Sequence, residues 1–384
     1  MLTTSIHFKN FKTKQNNLKV RSNLFSILEN KNCIIKSLEK NYKDSFTKSK
    51  ITKYKKLKNF TVIGMGGSIL GTQAIYSFLK HKVKKKFKFI DNLKINKKIF
   101  FEKQNTNLIV SKSGNTIETI VNANIYIKKK HKNIFITENK KNYLHLLAEK
   151  LKAEIIHHNN FIGGRYSVLS EVGMLPAELM NLNPAKFRQL NSLVKNKRFI
   201  NNLISNVSST IYLLKKKRFN SVILNYDERS ENLFKWYQQL IAESIGKKKK
   251  GILPIVSIMP KDNHSVMQLY LDGFKNNFFT IFYTHDKYSS KLSNNSLLTS
   301  HKFLKNKNVS NILYAQKQAT EKVFQRKNIP FRSFEIKKRD EKTLGELFCF
   351  FILETILIGK SLHLNPYDQP AVELIKMETK KILY

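Results

Sequence analysis

Short apolar runs recur from residue 60 onward, each followed by a polar or glycine turn and a stretch with helical spacing. Phe60–Ile63, Phe87–Ile90, Leu108–Val110, Ile134–Ile136 and Ile155–Ile156 predict five strands, and their alternation with helices predicts a parallel sheet. Glu171–Leu213 reads as helical. The rhythm then resumes with Val222–Leu224, Ile255–Ile258, Phe278–Tyr283 and Asn311–Tyr314, a second α/β half. From Gly345 an apolar helix is expected (Leu347, Phe350, Phe351, Leu353, Ile356, Leu357), then a turn at Asn365–Pro366 and a last helix from about Val372. Before the first sheet, Leu24, Phe25, Ile27 and Leu28 fit an amphipathic helix. The expected organisation is a helical segment over 1–55, α/β domains over 56–190 and 191–344, and a C-terminal helical arm over 345–384.

Composition narrows the class. With 384 residues, 41% of them hydrophobic, including 27 Phe, the chain can pack substantial cores and is not disordered. The longest apolar stretch, Leu347–Ile358, is broken by Glu354 and is too short to cross a bilayer, so no membrane partner is expected. The opening residues Met1–Lys9 lack the apolar region and cleavage site of a secretory signal, and Cys33 and Cys349 alone make neither a disulfide framework nor a zinc site. A cytoplasmic location is the expectation. Seventy Lys and Arg against 27 Asp and Glu give a net charge of +43, which attracts anions of every kind, nucleic acid included. The excess is spread over the whole length, as in Lys84–Lys86, Lys215–Lys217 and Lys247–Lys250, with no basic arm or aromatic interleaving, and the abundance of Asn and Ile points to compositional bias. No specific nucleic-acid partner is therefore expected.

Two turns carry candidate chemistry. Phe60–Ser68 is strand, glycine turn and helix start, and its glycines let a ligand approach backbone N–H groups. A dinucleotide site would use Asp91 as ribose contact, but Gly64-x-Gly66-Gly67 lacks the third glycine three residues after the second; a purely structural turn is the other alternative. The second turn, Leu108–Thr116, crowds Ser111, Lys112, Ser113 and Thr116 at a helix start. Capping by Ser113 or Thr116 would use one hydroxyl, whereas a phosphate dianion uses several donors and a cation. No long phosphate loop of the nucleotide-binding type is present, so a monophosphate is expected.

Further along, Gln239 and Glu243 lie four apart on one helix face, where the carboxylate is either solvated or a general base. His264 stands in a polar turn, Arg165 follows two glycines, and Lys376 lies three residues past Glu373, a spacing whose default is a surface ion pair.

In this order along the chain, these features resemble the glucose-6-phosphate isomerase (phosphoglucose isomerase) family. The resemblance rests on Gly163–Pro176 (GGRYSVLSEVGMLP), Gln238–Ser244 (QQLIAES) and Leu362–Lys376 (LHLNPYDQPAVELIK). It implies two sugar-isomerase (SIS) domains, each a parallel sheet flanked by helices, with a C-terminal helical arm. It further implies an aldose-ketose isomerase of glycolysis and gluconeogenesis, acting on glucose 6-phosphate and fructose 6-phosphate through a cis-enediolate. In that scheme Ser111, Lys112, Ser113 and Thr116 hold the phosphate, Gly67 and Ser68 line the sugar, and Gln239 and Gln369 orient it. Glu243 moves the proton between C2 and C1, Arg165 stabilises the enediolate, and His264 and Lys376 open the ring. The resemblance implies no metal or organic cofactor, and a homodimer in which the histidine enters the partner's site. Two departures are visible: Ala371 stands where the family commonly has glycine, and the chain is short for the family. The same SIS modules also occur in phosphosugar-binding regulators and in bifunctional phosphoglucose/phosphomannose isomerases.

Overall fold

The computed structural model describes residues 1–13, 17–95, 105–128, 131–286 and 288–384. The described strands are β1 (Ile6–Lys9), β2 (Asn59–Gly64), β3 (Lys86–Ile90), β4 (Thr106–Val110), β5 (Lys132–Glu138), β6 (Glu154–His158), β7 (Asn220–Asn225), β8 (Leu253–Ile258), β9 (Asn277–Thr284) and β10 (Phe331–Ile336). The first sheet has the order β3-β2-β4-β5-β6 and is parallel throughout. The second has the order β1-β10-β9-β7-β8, parallel except for β1, which runs antiparallel to β10 with Phe8 opposite Phe334. Every residue of β4 and of β9 is buried, as expected of central strands covered by helices on both faces.

The helices are α1 (Leu18–Glu29), α2 (Cys33–Ser37), α3 (Lys48–Lys55), α4 (Leu70–Phe78), α5 (Ile117–Tyr126), α6 (Tyr143–Lys150), α7 (Glu171–Leu179), α8 (Pro184–Phe187), α9 (Leu190–Leu193), α10 (Lys197–Lys215), α11 (Glu231–Ile245), α12 (Met267–Asp272), α13 (Val309–Arg326), α14 (Glu341–Ser361) and α15 (Ala371–Leu383). Two α/β halves with flanking helices, as expected, make up the molecule. No described helix is long and apolar enough to cross a membrane.

Two local expectations need correction. Asn311–Tyr314 is not a strand: it lies in the first turns of α13, where Asn308 and Asn311 form a reciprocal cap. A three-residue apolar run is compatible with either period, and the cap decides for helix. The sheet's strand in this part of the chain is β10 instead. The second correction concerns the opening residues, where β1 lies beside the expected helix α1 and completes the edge of the second sheet.

One buried network ties this second half together. Arg332 on β10 and Glu354 on α14 are both about 1% exposed and ion-paired. Asn206 of α10 donates to Glu354 Oε1 at 2.6 Å, Tyr237 of α11 donates to Glu354 Oε2 at 3.0 Å, and Arg332 Nε donates to Thr280 of β9 at 2.9 Å. Burial works against the Arg332 charge, yet Glu354 and Tyr237 together outweigh it and the guanidinium pKa is raised. Five elements thus meet around one ion pair, and α11 leaves this point carrying Gln239 and Glu243. Removing one member of a buried pair strands the other charge, so Glu354→Ala is expected to cost roughly 3–5 kcal/mol. Urea unfolding would measure it. Arg332→Met with Glu354→Leu should recover most of the loss, and a Glu354→Ala midpoint equal to that of the unaltered chain would remove the network from the account of stability.

Candidate active site

The carboxyl ends of β2, β4 and β5 face α11 and α15 across a cavity of about 320 Å³. This lies near the lower end of small-ligand sites, roughly 300–1,000 Å³. Gly67, Ser68, Ser111, Lys112, Ser113, Thr116, Arg165, Gln239, Glu243, Gln369 and Lys376 all line it. His264 does not: it is exposed in the turn Lys261–His264 that follows β8.

At one end the Ser111 and Thr116 hydroxyls lie 2.9 Å apart. Thr116 is the N-cap of α5, yet no side chain caps that helix, so the capping alternative for the cluster is not what the hydroxyls do. Gly114 bends the turn with φ +65°, and a Cβ there would fall 1.9 Å from Asn142 Oδ1; only glycine fits both conditions. Lys112 Nζ reaches the Asn160 carbonyl at 2.8 Å and lies 3.5 Å from Glu138 Oε1. Glu138, the last residue of β5, also lines the cavity. Nothing local in the sequence marks it, because it arrives through strand order.

At the other end stands Arg165, 2% exposed. Its Nε donates to Ser244 Oγ at 2.8 Å, its Nη1 to Glu243 Oε2 at 3.2 Å and to Gln369 Oε1 at 2.6 Å, and its Nη2 to the Pro366 and Asp368 carbonyls at 2.8 and 3.0 Å. Trp236 Nε1 donates to the Arg165 carbonyl at 3.1 Å. The Tyr166 hydroxyl lies 2.8 Å from Ser244 Oγ and donates to the Pro366 carbonyl at 2.9 Å; burial pushes its pKa up to about 12. The guanidinium is therefore a fixed charge whose direction is set from both sides of the cavity. Gly67 packs against this turn so closely that a Cβ would fall 2.1 Å from the Gly164 carbonyl carbon. That contact gives Gly67 a steric reason of its own, and Asp91, the residue a dinucleotide ribose would use, accepts from Gln73 Nε2 at 2.8 Å.

Between the two ends, Gln239 Nε2 donates to Glu243 Oε1 at 2.8 Å. The four-residue spacing on α11 therefore makes a contact as well as a shared face. Gln239 Oε1 is buried with no partner among the described residues, an acceptor for which a ligand hydroxyl would be a donor. Glu243 is 29% exposed, so its carboxylate is reachable while hydrogen-bonded on both oxygens. Lys376 Nζ pairs with Glu373 at 2.7 Å on the exposed α15, the surface pair its spacing suggests, at the cavity's rim. Among the described residues no group of three or more His, Cys, Asp or Glu is arranged to hold a metal ion.

The phosphoglucose isomerase family profile matches residues 29–384. A glucose-6-phosphate isomerase from Methanocaldococcus jannaschii is 33% identical over 369 residues, covering 89% of this chain and 88% of the relative. Among solved structures, a hypothetical protein from Thermus thermophilus superposes with a TM-score of 0.82 at 21% identity, covering 96% of this chain and 94% of that one. A glucose-6-phosphate isomerase from Chlamydia trachomatis superposes with a TM-score of 0.64 at 16% identity, covering 97% and 80%. With its two sugar-isomerase modules and the three matching sequence blocks gathered around one cavity, the chain belongs to the phosphoglucose isomerase family.

Proposed function

We propose that this cavity interconverts glucose 6-phosphate and fructose 6-phosphate. The observation that carries the reading is the Glu243 carboxylate held 3.2 Å from the buried Arg165 guanidinium, in the same cavity as a hydroxyl cluster with a lysine. A regulator that only binds sugar phosphates needs the hydroxyl cluster alone; a carboxylate beside a fixed cation is what proton transfer through an anionic intermediate needs.

The phosphate is held by Ser111, Lys112, Ser113 and Thr116, with the positive end of α5 behind them. Binding draws Lys112 away from the Asn160 carbonyl and Glu138. The sugar lies along Gly67 and Ser68, with a hydroxyl donating to Gln239 Oε1 and Gln369 orienting the chain of carbons. Once the ring is open, a Glu243 oxygen takes the C2 proton of the aldose, and the electron pair flows through C1 to the carbonyl oxygen. The resulting enediolate oxygen is stabilised by the positive charge of Arg165, held in place at the cavity wall. The hydroxyl proton on O2 passes to O1, and Glu243 returns the carbon proton to C1 as the carbonyl forms at C2, giving the ketose, so the carboxylate ends as it began. Lys376 and a histidine handle ring opening. As His264 stands outside its own chain's cavity, that histidine comes from a second copy, and the protein works as a homodimer with shared sites. The α15 helix supports an assembly of this kind, since Leu374, Ile375, Ile382 and Leu383 are all more than half exposed. The free thiols Cys33 and Cys349 suit a cytoplasmic location.

Two outcomes are expected. In a metal-chelating buffer, fructose 6-phosphate should be converted to glucose 6-phosphate, and Glu243→Gln should bind substrate with turnover reduced at least about a thousandfold, the scale of a lost general base. Near-normal turnover in that variant would sink the assignment of the base. Shared sites also predict complementation: Glu243→Gln and His264→Asn are each inactive alone, but unfolded and refolded as an equal mixture they should regain about one quarter of the normal activity, because half the dimers carry one intact site. If His264 served its own chain, no activity would return.

A further inference from the structure

A larger concavity lies elsewhere, at the amino ends of β7, β9 and β10. Its volume is about 810 Å³ against about 320 Å³ for the catalytic cavity, and the two share no lining residue. Its charge is one-sided: Lys9, Lys12, Lys216, Lys217, Arg218 and Lys275 line it, and among the described residues no carboxylate does. The sequence puts cations here for a local reason, since Lys216 and Lys217 follow the C-terminal end of α10, where the helix dipole favours positive charge. The chain beyond β1 and the loop before β9 then bring Lys12 and Lys275 to the same hollow.

Lys9 is 3.7 Å from Glu321, but Lys12, Lys216, Lys217 and Lys275 have no ion pair among the described residues. Arg218 is held by the Asn277 carbonyl at 2.9 Å, and burial lowers its pKa. Uncompensated cations around a concave, partly apolar surface repel one another and focus their field into the hollow, which an anion relieves. Leu213, Ile329 and Pro330 with the Tyr212 ring add apolar surface to the lining, and Lys216 Nζ lies 5.7 Å from the centre of that ring. A strand of nucleic acid would need several exposed aromatic platforms along a track, and here Phe324 and Phe331 are buried. Charge of one sign, apolar surface beside it and a volume within the small-ligand range favour a compact ligand with more than one phosphate.

We infer that this hollow binds a small molecule carrying linked phosphates and a flat apolar group, of the nucleoside di- or triphosphate class, independently of the catalytic cavity. Adenosine diphosphate is a suitable probe, titrated calorimetrically into the full-length protein at about 0.15 M salt, where long-range attraction is screened. The triple variant Lys12→Glu, Lys216→Glu, Lys275→Glu should weaken binding at least about tenfold, since the charges it reverses lie within contact range of the ligand. The control triple Lys36→Glu, Lys84→Glu, Lys197→Glu makes the same change in net charge at exposed sites outside the hollow and should shift affinity less than about twofold. Lys112→Ala, in the catalytic cavity, should leave it unchanged. Should the first triple fail to fold, Lys275→Gln alone carries the comparison with a smaller loss. Equal weakening by both triples would mean a general field effect and overturn the site, as would loss of binding in Lys112→Ala alone. No binding of adenosine diphosphate, with a single-stranded RNA of about 20 nucleotides captured through the same lysines, would overturn it in favour of a nucleic-acid surface.

Discussion

The Arg165 guanidinium is the constraint on which the site depends. Five donors in a rigid plane are satisfied by α11 (Glu243, Ser244) and by the turn before α15 (Pro366, Asp368, Gln369), while the backbone of the same residue is fixed by Trp236 and sits against Gly67. A lysine could not replace it, because a compact ammonium has no fork with which to hold separate segments at fixed angles. The cost of burying that charge is offset by carbonyls and amide oxygens as much as by the carboxylate, which leaves Glu243 tethered but still part-exposed. The first module thus holds α11 and the turn before α15 of the second through this side chain, with Tyr166 beside it, and neither module alone contains a complete cavity.

Beneath that contact, α11 has its own anchor. Tyr237 donates to Glu354 on the same helix that carries Gln239 and Glu243, so the rotation of that helix toward the cavity is set by a buried ion pair in the second core. Burial and the neighbouring Glu354 carboxylate raise the Tyr237 pKa, which keeps it the donor in this bond. Rigidity at the carboxylate therefore comes from the second module, while the hydroxyl turn is shaped by the first.

What the sequence displayed was whatever is decided locally. The strand-turn-helix units could be read because apolar runs and turn residues sit next to one another, and the Ser111–Thr116 cluster because four donors occur within six residues. Gly163–Ser167, Gln239 and Glu243 stood out through spacing, and the family resemblance added the order in which they come together. What escaped depends on distant partners. Strand β1 is a strand only because β10 offers an edge, and the Lys- and Asn-rich context around it hides four residues. Asn311–Tyr314 looked like a strand because its cap, Asn308, lies outside the apolar run. Glu138 reaches the cavity through the adjacency of β4 and β5, which no spacing along the chain encodes.

The two sheets differ at the carboxyl end of their first parallel strands. After β7, the counterpart by strand order of β2 with its glycine turn, Asp227 occupies the crest. Arg339 donates to both of its oxygens at 2.7 and 3.1 Å, and Thr284 at the end of β9 donates to Oδ2 at 3.1 Å. An internal carboxylate takes a cation and a hydroxyl there, and the chain closes over it at 8% exposure. Where the first module leaves a glycine turn open to the cavity, the second holds an internal ion pair, and the same module presents the Glu243 carboxylate from α11 on a satisfied buried network.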